Sequence, residues 1–390
     1  MKILLVINNY YAAGNGMSAS ARRTAHYLEM AGHEVRVLSG PNKNAEKPQP
    51  YYQLKEYIFP FFQSIIVSQG FSYASSDPRI IEEAVRWTDV VHLEEAFVLE
   101  IRTIKIARKL GKPITATYHL HPENITNSIG PLHYWKWFNR TLLRFWRDWV
   151  FNYCECVQCP TENVLDRLRR YHFKSNLTLI SNGVIADECI RPNEMPEGYL
   201  DPSRPLNVVY IGRLSKEKDQ PTLLEAMRYS KFAGRIQLIF AGIGPDAKRI
   251  KQKAHKLFED GIVKYDPQFL FLDRDGLRKL AAQADLCAHC ATIEVEGLSI
   301  MEAMQQAAVP VIAVGPYSGT AQFALSSRSR FPEKNPEALA NRIDYWLSNP
   351  ELRWEEGKKY VKHMEQYDIK HSVEKLIDMF QYAIDNYNKE

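Results

Sequence analysis

Short apolar runs alternate with segments of helical periodicity along most of the chain. In the first half, the runs predict strands at 3–7, 35–38, 89–93, 113–118, 156–159 and 177–180. The segments between them predict helices at 17–28, 101–110 and 161–170. Continuous apolar strands that alternate with helices are typical of a parallel sheet that is covered on both faces. The pattern therefore predicts a doubly wound α/β domain.

The periodicity is lost over residues 185–205, which contain four prolines and which we expect to form a linker. After this segment, the same alternation predicts strands at 207–211, 236–241, 261–265, 285–288 and 310–314. Helices are predicted at 221–229, 247–257, 275–283 and 300–307. The chain is therefore expected to form two Rossmann-like doubly wound parallel-sheet domains facing a cleft, where ligands bind at the carboxyl ends of the strands.

Composition and charge narrow the class of protein. The 390 residues are 45% hydrophobic and 25% charged, which excludes a wholly disordered chain. No apolar stretch approaches the roughly 20 residues of a membrane-spanning helix, and the first apolar run is too short for a signal peptide, so we expect a cytoplasmic protein.

Residues 1–184 carry 22 Lys and Arg against 16 Asp and Glu, whereas the remainder carries 28 against 30. The first half either meets an anionic partner or has an uneven surface charge by chance.

A loop with two basic residues follows the first predicted strand of the second half. Arg213 and Lys218 lie five residues apart in this loop, and both side chains can turn toward the same anion. The planar guanidinium of Arg213 can donate two hydrogen bonds to it, and the ammonium of Lys218 acts as a point charge. The alternative is a basic loop that is simply solvated. The segment is therefore a candidate phosphate site.

Two glutamates flank the start of a predicted helix. Glu294 follows a strand, Gly297 and Leu298 lie at the helix start, and Glu302 lies one turn inside the helix. The backbone amides and the dipole at a helix start favour a phosphate. Glu302 has a second interpretation, because Ser299 and Glu302 have the spacing of a capping box.

A histidine follows the strand predicted at 113–118. His119 is therefore expected to face the cleft, although a purely structural hydrogen bond is the alternative. Together with His121 and Glu123 it forms only a weak metal-binding pattern. The Asp273-Arg-Asp275 sequence precedes a helix, and Asp275 is interpreted as its N-cap.

Two CxxC pairs, at 156/159 and 287/290, lie on predicted strands, where residues three apart face opposite sides. We expect buried thiols at these positions. Taken with the weak histidine and aspartate patterns, this leads us to expect no metal and no cofactor.

Taken in order, these motifs resemble glycosyltransferase family 4, whose members are retaining enzymes of the GT-B fold. The resemblance rests on Asn15-Gly16-Met17, Gly32-His-Glu-Val35, Ser181-Asn-Gly-Val184, the loop 212–218 and the segment 294–304. It implies an N-terminal acceptor-binding domain at 1–184, a linker at 185–205 and a C-terminal nucleotide-sugar-binding domain at 206–365. A C-terminal helix at 366–390 would return to the N-terminal domain.

The resemblance implies that one group of residues binds the donor. Arg213 and Lys218 would neutralise the nucleotide diphosphate, and the amides of Gly297 and Leu298 would hold the same phosphates. Glu302 would bind the ribose hydroxyls. The donor nucleotide is expected to be uridine rather than guanosine, on resemblance alone.

The resemblance implies that a second group acts at the reacting centre. Glu294 would lie beside the transferred sugar, and His119 would contact the sugar near the bond that breaks. Gly16 belongs instead to the donor-binding group, because it would let the first loop approach the phosphates. A diphosphate leaving group favours catalysis by preorganised charges rather than by a pair of carboxylates.

Residues 131–150 hold four of the seven tryptophans, interleaved with basic residues. Aromatic positions recur at helical spacing, including Trp135 and Trp149, and a neighbouring face carries Lys136, Arg140 and Arg144. This composition is typical of a helix that lies on an anionic membrane. The alternative is an amphipathic core helix whose basic residues cover its solvent edge. The diphosphate motif argues against single-stranded nucleic acid as the partner.

We therefore expect a retaining hexosyltransferase that uses a nucleotide-diphosphate sugar. Within the family, the His121-Pro-Glu-Asn124 run resembles members that glycosylate diacylglycerol or similar lipids, so a lipid or lipid-linked acceptor at the inner face of the membrane is expected. One alternative acceptor is a soluble or capsular glycan intermediate. A further alternative is an inactive nucleotide-binding or membrane-scaffold protein of the same fold, and another is a sugar-nucleotide epimerase.

Overall fold

Two parallel sheets, one in each half of the chain, organise the protein. The computed structural model describes residues 1–12, 15–42, 48–59, 63, 72–127, 135–186 and 189–387. The chain divides into two compact units, the first formed by Met1–Asn182 with Ile369–Glu390 and the second by Gly183–Asp368. Each unit is an α/β domain built on its own sheet.

The strands of the first unit follow the apolar runs of the sequence. They are β1 (Lys2–Val6), β2 (Glu34–Ser39), β3 (Tyr52–Gln53), β4 (Glu56–Tyr57), β5 (Tyr73–Ala74), β6 (Val90–Leu93), β7 (Ile114–Thr117), β8 (Cys156–Cys159) and β9 (Asn176–Leu179). Seven of them form a parallel sheet in the order β3-β2-β1-β6-β7-β8-β9. The pair β4 and β5 is antiparallel and separate from this sheet.

The helices of the first unit connect these strands. They are α1 (Gly16–Met30), α2 (Pro78–Trp87), α3 (Val98–Lys109), α4 (Pro122–Thr126), α5 (Lys136–Trp149) and α6 (Glu162–Arg170), with a 3-10 turn at Phe151–Tyr153. Local sequence fixes several starts. The side chain of Asn15 accepts hydrogen bonds from the first-turn amides of α1, and the hydroxyl of Thr161 does the same for α6.

The second unit has a six-stranded parallel sheet. This unit contains the strands β10 (Leu206–Ile211), β11 (Ile236–Ala241), β12 (Gln268–Leu270), β13 (Leu286–His289), β14 (Ile293–Glu294), β15 (Val309–Val314), β16 (Tyr317–Ser318) and β17 (Arg330–Pro332), of which β14 and β16 lie outside the sheet. The sheet order is β12-β11-β10-β13-β15-β17, and β14 pairs with β16 in a separate parallel ladder. Apolar residues on β10, β11, β13 and β15 form the centre of its core, as expected for strands covered on both faces.

Among the described residues of this unit, six helices accompany the sheet. They are α7 (Gln220–Ala226), α8 (Ala247–Glu259), α9 (Arg274–Gln283), α10 (Leu298–Gln305), α11 (Pro336–Leu347) and α12 (Pro350–Met364). Short 3-10 turns lie at Lys216–Lys218, Ala233–Arg235, Thr320–Phe323, Ser327–Ser329 and Glu365–Tyr367. The last helix, α13 (Ile369–Asn386), belongs to the first unit, where it packs on α1 and on strands β6 to β8.

One predicted strand is wrong. Residues 261–265 form bends rather than a strand, and the sheet gains β12 a few residues later. The amides of Ile262 and Val263 both donate to the carbonyl of Leu257, so this apolar segment ends α8 instead of pairing with a strand.

The segment expected to be a linker is attached to the second unit. Residues 189–205 contain neither helix nor strand, in line with their lost periodicity. The buried guanidinium of Arg191 donates to the carbonyls of Ala282 and Ala307, and that of Arg204 forms an ion pair with Asp285. The proline-rich segment therefore lacks regular secondary structure but is held on the second unit by the contacts of Arg191 and Arg204.

Candidate functional site

Two loops pass each other closely at the carboxyl ends of β10 and β11. A Cβ atom at Gly242 would overlap the carbonyl oxygen of Gly212, and one at Gly244 would overlap that of Leu214. The amide of Leu214 also donates to the carbonyl of Ile243, over 3.0 Å. Only glycine permits this approach, which fixes the backbone on both sides of Arg213.

The two basic residues of the predicted phosphate loop lie beside this crossing. Arg213 is half-buried, and burial lowers the pKa of its guanidinium while the carboxylate of Glu217 opposes the shift. Lys218 ends a 3-10 turn, and its backbone carbonyl accepts a 2.6 Å hydrogen bond from the hydroxyl of Tyr210. The ammonium of Lys218 forms an ion pair with the carboxylate of Glu294. The structure thus joins the two motifs that the sequence places far apart.

Glu294 lies on β14 with a mostly buried side chain, 17% exposed. Burial by itself would raise the pKa of this carboxyl, but the charge of Lys218 and the neighbouring His289 outweigh it and lower the pKa. The Nε2 atom of His289 lies 3.6 Å from the Glu294 carboxylate. Burial lowers the pKa of His289 to about 4, so its imidazole is neutral near pH 7.

The start of α10 is fixed to the end of β10. Gly297 has a φ of 94°, and a Cβ atom there would lie 2.7 Å from the hydroxyl oxygen of Thr320. The hydroxyl of Ser299 donates to the carbonyl of Ile211, over 3.0 Å. The capping-box interpretation of Glu302 is wrong, because the cap residue is Gly297 and Ser299 lies inside the helix.

The predicted site residues of the second unit therefore lie at the carboxyl end of its sheet. The loop after β10, strand β14 and the first turn of α10 hold the predicted set, which is Arg213, Lys218, Glu294, Gly297 and Leu298. Glu302 lies one turn further along α10, with its side chain exposed. A guanidinium, an ammonium and a helix amino end on connected loops can together bind a diphosphate.

In the first unit, His119 pairs with a carboxylate that sequence reasoning missed. Its Nε2 atom lies 2.7 Å from the carboxylate of Glu94, a buried residue directly after β6. Burial would raise the pKa of Glu94, but the hydrogen bond with His119, together with the neighbouring imidazoles of His119 and His92, lowers it. The signal in the sequence was the acidic pair Glu94-Glu95 at the end of an apolar strand, next to the strand that carries His119.

Two more buried carboxylates lie behind this pair. The side-chain amide of Asn8 donates to Glu95 over 2.7 Å and to Glu100 over 3.2 Å. Burial raises the pKa of Glu100 to about 8, and the nearby charge of Glu95 adds to the shift. Glu100 is therefore largely protonated at neutral pH.

The residues around His119 line a small, partly open pocket. Its lining combines carboxylates, hydroxyl and imidazole with apolar side chains, namely Glu94, Glu95, Ala96, Phe97, Thr117, His119, Leu120, Trp146 and Phe151. The mixture suits a polar group carried on an apolar body.

The weak metal pattern in the sequence is divided between two sites. His121 and Glu123 contact the guanidinium of Arg167, with distances of 3.0 Å to the imidazole and 2.8 Å to the carboxylate, whereas His119 contacts Glu94. These residues therefore do not converge on one ion.

Other predicted features can also be located. The N-cap of α9 is Asp273, which accepts a hydrogen bond from the amide of Gly276, so the assignment of this cap to Asp275 is wrong. The four cysteines of the CxxC pairs are buried, as predicted.

Gly16 is the exposed first residue of α1, and a Cβ atom there would meet nothing within 4 Å.

Helix α5 has a buried face and an exposed aromatic-basic face. Its inner side buries Asn139, Leu143 and Trp146. Its exposed side chains include Trp135, Lys136, Trp137, Arg140, Arg144, Phe145 and Trp149. Within the described ranges, neither Lys136, Arg140 nor Arg144 forms an ion pair with a carboxylate. We call the surface formed by these exposed side chains the α5 outer face.

Nowhere in the described part of the chain is a helix both long and apolar enough to cross a bilayer.

Comparison with known proteins identifies both halves of the chain. The profile of Glycosyltransferase Family 4 matches residues 14–188, and that of Glycosyl transferases group 1 matches residues 193–374. The chain is 25% identical to the alpha-monoglucosyldiacylglycerol synthase of Streptococcus pneumoniae, over 81% of this chain and 72% of that protein. It is also 25% identical to the GDP-mannose-dependent alpha-mannosyltransferase of Corynebacterium glutamicum, over 82% of this chain and 73% of that protein.

The fold is similar to that of a solved structure over nearly its full length. Anabaena HepE in complex with UDP and glucose matches with a TM-score of 0.72 and 17% identity, over 98% of this chain and 100% of that one. At this identity the likeness shows the fold, which is two Rossmann-like domains of the GT-B type.

Proposed function

Since the chain belongs to glycosyltransferase family 4 and is an enzyme that transfers a sugar, we propose that it moves a hexose from a UDP-sugar to a lipid or lipid-linked acceptor, with retention, at the inner face of the membrane. The donor half of this proposal is supported by three observations: Arg213 and Lys218 share the loop after β10, Lys218 forms an ion pair with Glu294 on β14, and Ser299 in the first turn of α10 donates to the carbonyl at the end of β10.

On this proposal, the loop after β10 and the start of α10 bind the donor diphosphate. The guanidinium of Arg213 and the ammonium of Lys218 stabilise the negative charge that develops on the leaving group. The amides of Gly297 and Leu298 donate to the same phosphates, and Glu302 accepts from the ribose hydroxyls. These fixed positive groups supply the charge stabilisation, so we propose that the reaction needs no metal.

Glu294 and His119 act at the transferred sugar. Glu294 lies beside the hexose, where its carboxylate also holds the ammonium of Lys218 in place. His119 contacts a hydroxyl of the sugar, and Gly16 lets the first loop approach the phosphates. Both relatives are named for alpha products, and an alpha product from an alpha-linked nucleotide sugar requires retention.

Two nucleotides are candidates for the donor. The HepE structure contains UDP and glucose, which supports UDP, whereas the mannosyltransferase relative is named for GDP-mannose. GDP-sugars therefore form the second candidate donor class.

The α5 outer face supports a lipid acceptor. Exposed tryptophans beside basic residues without carboxylate partners in the described chain fit an anionic bilayer, whose surface attracts each basic residue by roughly 1 kcal/mol. The relative from Streptococcus pneumoniae is named for a diacylglycerol glycolipid, which agrees with this acceptor class. A soluble glycan acceptor remains the alternative outcome of the transfer assay below.

A thermal-shift panel of UDP, GDP and their hexose conjugates, with and without EDTA, tests the donor site. A ligand at 100 times its Kd stabilises the folded protein by about 2.7 kcal/mol. We expect stabilisation by UDP and its conjugates, unchanged by EDTA, and its loss in Arg213→Ala. Lys216→Ala is the matched control, because Lys216 lies in the same loop with an exposed side chain. Equal loss in both variants would contradict the assigned site.

A transfer assay tests the acceptor. Purified enzyme is incubated with the stabilising donor and with either diacylglycerol in mixed vesicles or soluble oligosaccharides. We expect sugar in the lipid fraction, with an alpha linkage by NMR. Transfer to oligosaccharides alone would overturn the lipid acceptor, and absence of transfer with every donor would favour the inactive scaffold.

A further inference from the structure

The carboxylate of Glu94 is buried and has a single hydrogen-bond partner among the described residues. That partner is the Nε2 atom of His119, at 2.7 Å. The side chains are 2% and 7% exposed, so water does not replace this contact readily. A buried carboxylate requires such a partner, and the pair therefore behaves as one unit.

The contact determines which nitrogen of His119 remains available. Because Nε2 donates its hydrogen to Glu94, the neutral imidazole carries its lone pair on Nδ1. In the described part of the chain, Nδ1 makes no hydrogen bond. His119 also lines the pocket that Phe97, Trp146 and Phe151 enclose on the apolar side.

The contacts of His92, a second histidine near Glu94, leave His119 as the partner of this carboxylate. The two ring nitrogens of His92 lie 2.9 Å from the hydroxyls of Thr115 and Thr117, and burial lowers the pKa of His92 to about 4. His92 is thus neutral near pH 7 and leaves His119 as the hydrogen-bonded partner of Glu94. The hydroxyl of Thr117 in turn donates to Gln158 over 2.7 Å.

We propose that Glu94 is a positioning residue for His119, fixing the Nε2–H tautomer so that Nδ1 accepts a hydrogen bond from a reactant hydroxyl in this pocket. The inference rests on the proposed function and adds to it a residue and a direction for the hydrogen bond. The hydroxyl belongs either to the transferred sugar or to the acceptor, which are distinguished by the kinetic effects described below.

Glu94→Gln tests the proposal. The amide of glutamine can either accept from or donate to Nε2, so the tautomer is no longer fixed. We expect kcat to fall roughly 10-fold to 100-fold while UDP binding is unchanged. A raised donor KM in His119→Ala assigns the hydroxyl to the sugar, and a raised acceptor KM assigns it to the acceptor.

The double variant separates positioning from a structural role. If Glu94 acts through His119, adding Glu94→Gln to His119→Ala lowers kcat by less than about 3-fold further. A full additive loss would overturn the proposal. Glu100→Gln is the matched control, since Glu100 is an equally buried glutamate that contacts Asn8 and the amide of Phe97 rather than His119. Its kcat is expected to stay within a few-fold of the wild-type value.

A spectroscopic readout does not depend on the folding of any Glu94 variant. In wild-type protein labelled with 15N-histidine, His119→Gln identifies the ring signals of His119, and their shifts are expected to be those of the Nε2–H tautomer. An Nδ1–H tautomer would overturn the inference. A wild-type enzyme without transfer activity would instead contradict the proposed function, so the two failures are distinguishable.

Discussion

Lys218 and Glu294 form an ion pair although they lie 76 residues apart in the chain. The sequence assigned them separate roles, one at the diphosphate and the other at the sugar. Their contact makes the loop after β10 and strand β14 one electrostatic unit, to which the ring of His289 also belongs. A change at either residue is therefore expected to alter the charge state of the other.

Replacing Lys218 by methionine tests this coupling without any ligand. The variant leaves a mostly buried carboxylate without its cation, which is expected to lower the free energy of unfolding by about 1–3 kcal/mol at pH 7. The pKa of Glu294 is lowered in the wild-type fold, so the pair stabilises the protein above the unfolded-state pKa, and this stability is lost as the pH falls through the folded value.

Urea unfolding between pH 5 and pH 8 provides the measurement. In Lys218→Met, burial raises the pKa of Glu294, so the carboxyl becomes protonated as the pH is lowered. The difference in the free energy of unfolding between the variant and the wild type therefore becomes smaller. The double variant with Glu294→Gln should recover part of the stability at pH 7. A deficit that is independent of pH and of Glu294 would disprove the coupling.

Much of the fold is encoded in local patterns. Apolar runs predicted β10, β11 and β15 because these strands are buried on both faces. The strand predicted at 261–265 failed because an apolar run can also end a helix, and only the hydrogen bonds to Leu257 distinguish the two outcomes.

The site was predictable where a motif is local, as in the loop that carries Arg213 and Lys218. It was not predictable where residues from different strands meet. Glu94 and His119 are 25 residues apart and lie just after the neighbouring strands β6 and β7, so their pairing depends on the order of strands in the sheet. The capping-box interpretation failed for a similar reason, because Ser299 bonds to β10 rather than to its own helix.

Two glycines of the predicted donor site should respond differently to alanine. At Gly297 a Cβ atom would meet the side chain of Thr320, and the residue has a positive φ, so Gly297→Ala is expected to destabilise the protein by about 1–3 kcal/mol. At Gly16 the space is open, and alanine in the first turn of α1 should leave stability unchanged or raise it slightly.

Thermal unfolding and UDP-hexose titration of both variants measure these effects. On the proposed function, Gly16→Ala lowers donor affinity despite its intact fold, because a methyl group would stand between the loop and the phosphates. Unchanged affinity in Gly16→Ala would remove Gly16 from the site. Wild-type stability of Gly297→Ala would contradict the described start of α10.

The α5 outer face is expected to bind anionic vesicles. Replacing Arg140 and Arg144 by glutamine should weaken partitioning into vesicles with anionic lipid about 30-fold, from roughly 1 kcal/mol for each residue. Added salt should reduce the binding of the wild-type protein. Trp137→Ala and Trp149→Ala should weaken binding without changing its salt dependence, because they remove apolar rather than charged contacts.

The control for vesicle flotation is Arg169→Gln with Arg170→Gln. These two exposed residues carry the same charge in the same unit but belong to α6 rather than to the α5 outer face. Equal loss of binding in the two double variants would show that net charge, rather than the α5 outer face, attracts the vesicles.

The buried carboxyl of Glu100 should make stability depend on pH. Its pKa is raised by burial and by Glu95 to about 8 in the folded protein, against about 4.3 in the unfolded chain. The protonated group therefore stabilises the fold fully below the unfolded-state pKa, and this stability is lost as the pH rises toward 8, with a slope of about 1.4 kcal/mol per pH unit for one proton. Glu100→Gln cannot lose a proton, so its stability relative to the wild type should increase from pH 5 to pH 8 in urea unfolding. A difference that stays constant over this range would mean that Glu100 is already ionised at pH 5, held as a carboxylate by the hydrogen bonds from Asn8 and the amide of Phe97.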